Sequence, residues 1–88
     1  MQNGALVVDV RTPGEFAGGH IEDAVNIPYD VIGREIGSYA PDKDRAIILY
    51  CRSGPRAAVA KKSLIRAGYT QVINATSLRK MRKILASK

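Results

Sequence analysis

Eighty-eight residues suffice for one domain with a single modest core, because a chain of this size buries only about 60–65% of the surface its unfolded form exposes. With 45% apolar and 25% charged residues the composition is globular rather than disordered, and no apolar run approaches the roughly 20 residues needed to span a bilayer. Fourteen basic residues against eight acidic ones, a net charge of +6, favour anionic partners, while one cysteine and one histidine exclude a disulfide framework, a dithiol redox motif and a zinc site.

In chain order, Ala5-Leu6-Val7-Val8-Asp9-Val10 is a continuous β-branched run, the pattern of a strand covered on both faces. Thr12 is placed to cap a short helix over 13–17, with Pro13 at the first helical position and Glu15 at the third, as in a capping box. Gly18-Gly19 ends it. A second short strand over 24–27 is stopped by Pro28. A helix follows over 29–39, with Val31, Ile32, Ile36 and Tyr39 on one side and with Gly33 and Gly37 weakening it. After a turn at 41–44, Ala46-Ile47-Ile48-Leu49-Tyr50 reads as the central strand.

A polar loop, Cys51-Arg52-Ser53-Gly54-Pro55-Arg56, leads into a helix over about 56–67 that closes at Gly68. Its apolar stripe is Ala57, Ala60, Leu64 and Ile65, and Lys61, which falls inside that stripe, is expected to snorkel outward. A last strand covers 71–74. Ser77 is placed to cap a final helix carrying Leu78, Met81 and Leu85. Strands separated by helices imply parallel pairing through right-handed crossovers. The expectation is an α/β fold: one small parallel sheet of four to five strands with helices on both faces, occupying residues 1–88 as one domain. In such sheets sites form at the carboxyl ends of strands, and Cys51 sits at one of them.

The surroundings of Cys51 favour thiolate over thiol. Backbone N–H groups of the loop, the positive end of the following helix and the charges of Arg52 and Arg56 all stabilise an anionic sulfur. Gly54 permits a tight turn and Pro55 stiffens the entry to the helix. A ring of amides around such a sulfur also suits an anionic substrate. A merely structural cysteine would be followed by more core residues, not by Arg-Ser-Gly-Pro-Arg.

Val8-Asp9-Val10-Arg11-Thr12-Pro13-Gly14-Glu15-Phe16, Gly19-His20-Ile21, Ala24-Val25-Asn26-Ile27-Pro28 and Tyr50-Cys51-Arg52-Ser53-Gly54-Pro55-Arg56 together resemble a single-domain rhodanese of the small phage-shock-protein-E type. The resemblance extends over roughly 5–74. It implies the rhodanese fold and sulfur transfer through a persulfide on Cys51, from thiosulfate or a related donor to cyanide or a thiol, with ping-pong kinetics and no cofactor or metal. It also implies that residues 52–56 (Arg52, Ser53, Gly54, Pro55 and Arg56) bind substrate, their amides holding the persulfide and the two arginines attracting the oxyanion end of thiosulfate. Asp9 and Arg11 match the family's Asp-x-Arg and are expected to support the loops as a charge pair. Glu15 is either the partner of Arg11 or a helix cap alone. His20 is expected to be a hydrogen-bonded packing residue, and Tyr29, Tyr39 and Tyr69 packing residues with wet hydroxyls.

The chain departs from many relatives after the last strand. Asn74-Ala75-Thr76-Ser77-Leu78 stands where they carry Ala-Gly-Gly and then a Trp. Rival readings are a persulfide relay or binding module serving a partner protein, and a cysteine phosphatase or arsenate reductase. Against the latter, only four residues separate Cys51 from Arg56, one fewer than a phosphatase-type cradle, and no acid lies in the loop. The basic tail Arg79, Lys80, Arg82, Lys83 and Lys88 reads as a solvated helix face, with an acidic protein partner as the alternative. Nucleic acid is disfavoured because no aromatic residues interleave with the charges, and no membrane insertion is expected. No basic-then-apolar amino terminus reads as a signal peptide, which fits the cytoplasm as the sequence stands, or the periplasm if a leader was removed.

Overall fold

The computed structural model describes residues 5–77, 79 and 80. Four strands, β1 (Leu6–Asp9), β2 (Val25–Asn26), β3 (Ile47–Cys51) and β4 (Val72–Ser77), form one sheet in the order β2-β1-β3-β4, every pair parallel. Three helices connect them: α1 (Pro13–Ala17), α2 (Ile32–Tyr39) and α3 (Pro55–Arg66). The chain runs from β1 outward to β2, then returns across β1 to β3. This reversal places the carboxyl ends of β1 and β3 side by side at a topological switch point, where open α/β sheets form their ligand crevices. Asp9 is in register with Tyr50, so Cys51 begins where β1 ends.

Alternation along the strands sorts the core into two layers. Leu6, Val8, Ile47, Leu49 and Cys51 face α2 and α3, where Ile32, Ile36, Ala57, Ala60 and Leu64 meet them. Val7 and Tyr50 face the other way, against Ile21, Ala24 and Ala75, with Phe16 of α1 and Ile48 packed alongside. Both faces of β1 are therefore covered, which accounts for a strand in which all four residues are buried and no polar alternation appears.

The capping signals of α1 are realised in full. The Glu15 N–H donates to Thr12 Oγ1 at 3.2 Å and the Thr12 N–H donates to Glu15 Oε1 at 3.1 Å. In α3 the buried stripe is Ala57, Ala60 and Leu64, and Lys61 is half-buried. Ile65, placed in that stripe by spacing, instead stands 55% exposed, since it lies one residue round the helix from Leu64 and past the edge of the contact. In α2, Ile32 and Ile36 are buried, but Tyr39 is exposed and the helix starts at Ile32 rather than at Tyr29. The last strand runs three residues beyond 71–74, because β3 supplies partners as far as Cys51↔Ser77.

Tyr29 and Tyr39, expected to pack, are exposed, whereas Tyr69 is buried and its hydroxyl, expected to be wet, donates to the Ala40 carbonyl. That bond ties the end of α3 to the end of α2, and a buried phenol needs such a partner. Beyond β4, Arg79 and Lys80 are helical, and the Ser77 hydroxyl accepts from the Lys80 N–H at 3.0 Å, the geometry of the expected N-cap. Leu78, Met81 and Leu85, and the basic residues Arg82, Lys83 and Lys88, lie outside the described residues. Among the described residues no helix is long and apolar enough to cross a membrane.

Candidate functional site

Cys51 ends β3, and Pro55 begins α3. Three residues turn the chain between them. The turn depends on Gly54, whose φ of 111° lies where side chains are strained. In that conformation the Gly54 N–H points back and donates to Cys51 Sγ at 2.9 Å. Sγ thus has apolar neighbours on the sheet side and a backbone donor on the loop side. Cys51 is only 1% exposed.

Gly54 is also the N-cap of α3, and no side-chain oxygen occupies the first-turn amides of that helix. No acidic residue sits in its first turn either. The positive end of a twelve-residue helix is left open beside the sulfur, an arrangement that favours an anion. Pro55 has no N–H and supplies no donor, so its part is to fix the helix entry.

The wall facing the loop comes from β4. A Cβ added to Gly54 would lie 3.4 Å from Thr76 Cγ2 and 3.5 Å from Thr76 Cβ. Thr76 itself has a φ of 68°, a conformation that β-branched residues rarely adopt. Asn74 Oδ1 holds it by accepting from the Thr76 N–H at 2.8 Å, and the Thr76 hydroxyl donates to the Ala75 carbonyl. The divergent Asn-Ala-Thr stretch thus keeps a left-handed turn, with Asn74 stabilising what a glycine would adopt without help.

Gly54→Ala should therefore be costly twice over. The strained φ and the Thr76 contact should lower stability by about 1–3 kcal/mol. Displacing the donor at Sγ should slow attack by the Cys51 thiolate by on the order of 10²-fold. Urea denaturation and the rate of thiol alkylation measure the two effects. An alanine variant alkylated at the wild-type rate would show that this amide does not act on Sγ.

The two loop arginines differ. Arg56 is half-buried and clamped by a carboxylate: Arg56 Nη1 donates to Glu15 Oε1 at 2.7 Å and Nη2 to Oε2 at 3.1 Å. Glu15 is thus both the cap of α1 and the partner of Arg56, and not the partner of Arg11. Its pKa falls from 4.5 to about 2, chiefly through Arg56 and next through the Thr12 backbone. Arg56 is held in its charged form mainly by Glu15, with a smaller contribution from Cys51. Glu15 thus engages two of the five N–H donors of the Arg56 guanidinium. Arg52 is exposed and forms no ion pair among the described residues. Ser53 is exposed beside it.

The Glu15 shift has a definite sign. A carboxylate with a depressed pKa adds stability above its unfolded pKa, and loses it as pH falls from 4.5 through about 2. Glu15→Gln keeps the capping box but removes the charge. It should cost about 0.2–1 kcal/mol at pH 7, the scale of a partly exposed pair. At pH 2 the two proteins should have converging urea midpoints. A gap that persists there would assign the effect to packing.

Asp9 and Arg11 are brought together as expected. Asp9 is fully buried and Arg11 is 7% exposed. Arg11 Nη2 donates to Asp9 Oδ2 at 2.6 Å, Nε to Oδ1 at 2.9 Å, and the Arg11 backbone N–H also donates to Oδ1 at 2.9 Å. Nη2 further donates to the Gly19 carbonyl at 2.7 Å, tying the chain after α1 to the end of β1. Asn26 of β2 donates to the carbonyls of both Asp9 and Arg11 at 3.0 Å. The pair is loop support.

Nothing local in the sequence marks Tyr50 as part of this network. It is fully buried, its oxygen accepts from the Ile21 N–H at 3.0 Å, and the Arg11 guanidinium lies 5.9 Å from its ring centroid. Burial raises its pKa to about 12. His20 is exposed, stacks on Phe16 at 3.7 Å and has Nδ1 2.9 Å from the Phe16 carbonyl.

Beside the loop lies an open cleft of about 590 Å³. Its lining is three glycines, Gly14, Gly18 and Gly19, and four charged residues, Arg11, Glu15, Arg52 and Arg79. Among the described residues no cluster of three or more His, Cys, Asp or Glu could hold a metal ion.

The rhodanese-like domain family matches residues 1–76. The chain is similar to thiosulfate sulfurtransferase PspE of Escherichia coli, 36% identical over 72 residues, covering 82% of this chain and 69% of that protein. It is 42% identical over 69 residues to a sulfurtransferase of Allochromatium vinosum, covering 78% of this chain and 63% of the relative. Among solved structures, a rhodanese with anions from E. coli superposes with a TM-score of 0.83 at 34% identity, covering 86% of this chain and 89% of that one.

Proposed function

The chain belongs to the rhodanese-like domain family, as a rhodanese-type sulfurtransferase, and we propose that it works through a persulfide on Cys51 with thiosulfate as donor. The observation that carries this reading is the Gly54 amide donating to Cys51 Sγ at 2.9 Å, at the uncapped start of α3. A donor fixed by the backbone stabilises a thiolate without a general base, and stabilises an anionic persulfide in the same place.

In the first half-reaction the Cys51 thiolate attacks the outer sulfur of thiosulfate. A new S–S bond forms, the S–S bond of thiosulfate breaks, and its electron pair leaves with sulfite. The Cys51 persulfide keeps one negative charge. In the second, cyanide or a thiolate attacks the outer sulfur, and the Cys51 thiolate is the leaving group. One product leaves before the second substrate reacts, which is ping-pong kinetics. Exposed Arg52 supplies charge for the sulfonate end of the donor. Arg56, fixed by Glu15, supplies field at the far end of the loop. Thiosulfate as donor rests on the similarity to the E. coli thiosulfate sulfurtransferase and on the positive loop.

Intact mass after incubation with thiosulfate tests the reading. The protein should gain one sulfur atom, and cyanide should remove it. A protein that never gains sulfur from thiosulfate would overturn thiosulfate as the donor.

A further inference from the structure

We infer that Asn74 is a positioning residue for Cys51: it holds the Thr76 side chain against Gly54, and Thr76 thereby keeps the Gly54 amide aimed at Sγ. This deepens the reading above, since it rests on Cys51 as the reacting group and on neither the donor nor the acceptor of sulfur.

Gly54 cannot hold its own amide in place. With no side chain to restrict it, a φ of 111° is one of several conformations open to glycine. Its carbonyl side is fixed: Pro55 restricts ψ, and the carbonyl accepts from the Ala58 N–H at 2.9 Å at the start of α3. The peptide on its other side joins it to Ser53, which is exposed together with Arg52, so the loop itself packs nothing against that peptide. The restraint comes from β4. The three heavy atoms nearest to a Cβ built on Gly54 are Cγ2, Cβ and Cα of Thr76, at 3.4, 3.5 and 3.8 Å. A rotation that carries the Gly54 Cα toward β4, and its N–H off Sγ, meets the Thr76 methyl group.

Thr76 is placed in turn by a bulge in β4. Leu49 pairs with Asn74 and Cys51 with Ser77, so Ala75 and Thr76 together stand opposite Tyr50. An extra residue in a strand bends it and re-aims the side chains there. The bend falls on Thr76, whose φ of 68° glycine takes freely and a β-branched residue resists. Asn74 Oδ1 holds it by accepting the Thr76 N–H at 2.8 Å. With the Thr76 hydroxyl committed to the Ala75 carbonyl, the methyl group is the branch that faces Gly54. A glycine at 76 would keep the turn without Asn74 but would give Gly54 no wall. A threonine gives the wall and needs Asn74.

Thr76→Gly separates these two roles. It relieves the left-handed φ, so the urea midpoint should stay close to the parent's. Alkylation of Cys51 by iodoacetamide, at the foot of its pH profile where the thiolate fraction limits the rate, should still slow about three- to tenfold, part of the ~10²-fold that follows outright loss of a donor. Hydrogen exchange at the Gly54 amide should quicken, while Ala58, whose amide bonds to the Gly54 carbonyl, keeps its rate. Asn74→Ala should slow alkylation in the parent and slow it no further in the Thr76→Gly protein, because it acts through Thr76.

Parent-rate alkylation in Thr76→Gly or in Asn74→Ala would overturn the positioning role. So would exchange that quickens equally at Gly54 and Ala58, or effects of the two substitutions that multiply in the double variant. None of these measurements uses a sulfur donor. A protein that never gains sulfur from thiosulfate would sink that donor and leave the positioning role to be decided by alkylation and exchange. Failure of the positioning role would leave the persulfide reading standing.

Discussion

Cys51→Ser should reduce sulfur transfer by at least on the order of 10³-fold, to the background of the assay, while leaving the fold in place. Serine fits the same volume, and its hydroxyl can accept the Gly54 N–H that now reaches Sγ at 2.9 Å. Stability should therefore change by no more than about 1 kcal/mol. A hydroxyl at this position is neither ionised nor able to carry a second sulfur, so the variant should never gain mass from thiosulfate. Thermal unfolding, steady-state cyanide assays and intact mass make the comparison complete. Normal turnover by this variant would remove the persulfide mechanism.

Arg11→Ala should be the most destabilising single change outside the sulfur site. It leaves the Asp9 carboxylate fully buried with its charge unpaired, and it frees the Gly19 carbonyl from its donor. Breaking a buried pair from one side costs about 3–5 kcal/mol, a large share of the roughly 5–15 kcal/mol that holds a domain folded. Arg11→Lys should recover only part of this loss, because an ammonium cannot span both carboxylate oxygens. Replacing both partners, Asp9→Asn with Arg11→Met, should cost less than Arg11→Ala alone, since no naked charge remains. Urea midpoints of the three proteins give the ordering. A loss below about 1 kcal/mol for Arg11→Ala would mean that water reaches Asp9.

Both effects arise at the same place, the joined carboxyl ends of β1 and β3. On the proposed reading one side chain there does the sulfur chemistry, and the other pair holds the frame. Cys51 and Tyr50 are neighbours in sequence but project to opposite faces of the sheet. The first meets the start of α3. The second accepts from Ile21 and lies beside Arg11, bracing the segment that carries α1 and the glycines of the cleft.

By itself the sequence determined the local structure and singled out Cys51 as the candidate nucleophile. The capping box at Thr12 and Glu15, Pro13 at the start of α1, the β-branched run of β1 and the need for glycine at position 54 are all written within a few residues, because they depend on backbone geometry and nearest neighbours. Pairing of Asp9 with Arg11 was legible for the same reason, being only two residues apart. What only the tertiary structure decided is every contact across long stretches of chain. Glu15 meets Arg56 from 41 residues away, and Tyr50 meets Ile21 from 29. Periodicity could not show that Ile65 falls outside the buried stripe, since where that stripe ends depends on what packs against α3. Nor could it show that Thr76 stands against Gly54 in a left-handed turn, or that Arg52 and Arg79 share a cleft. Those facts depend on which strand lies beside which, and the return of the chain across β1 settles that only once the sheet has formed.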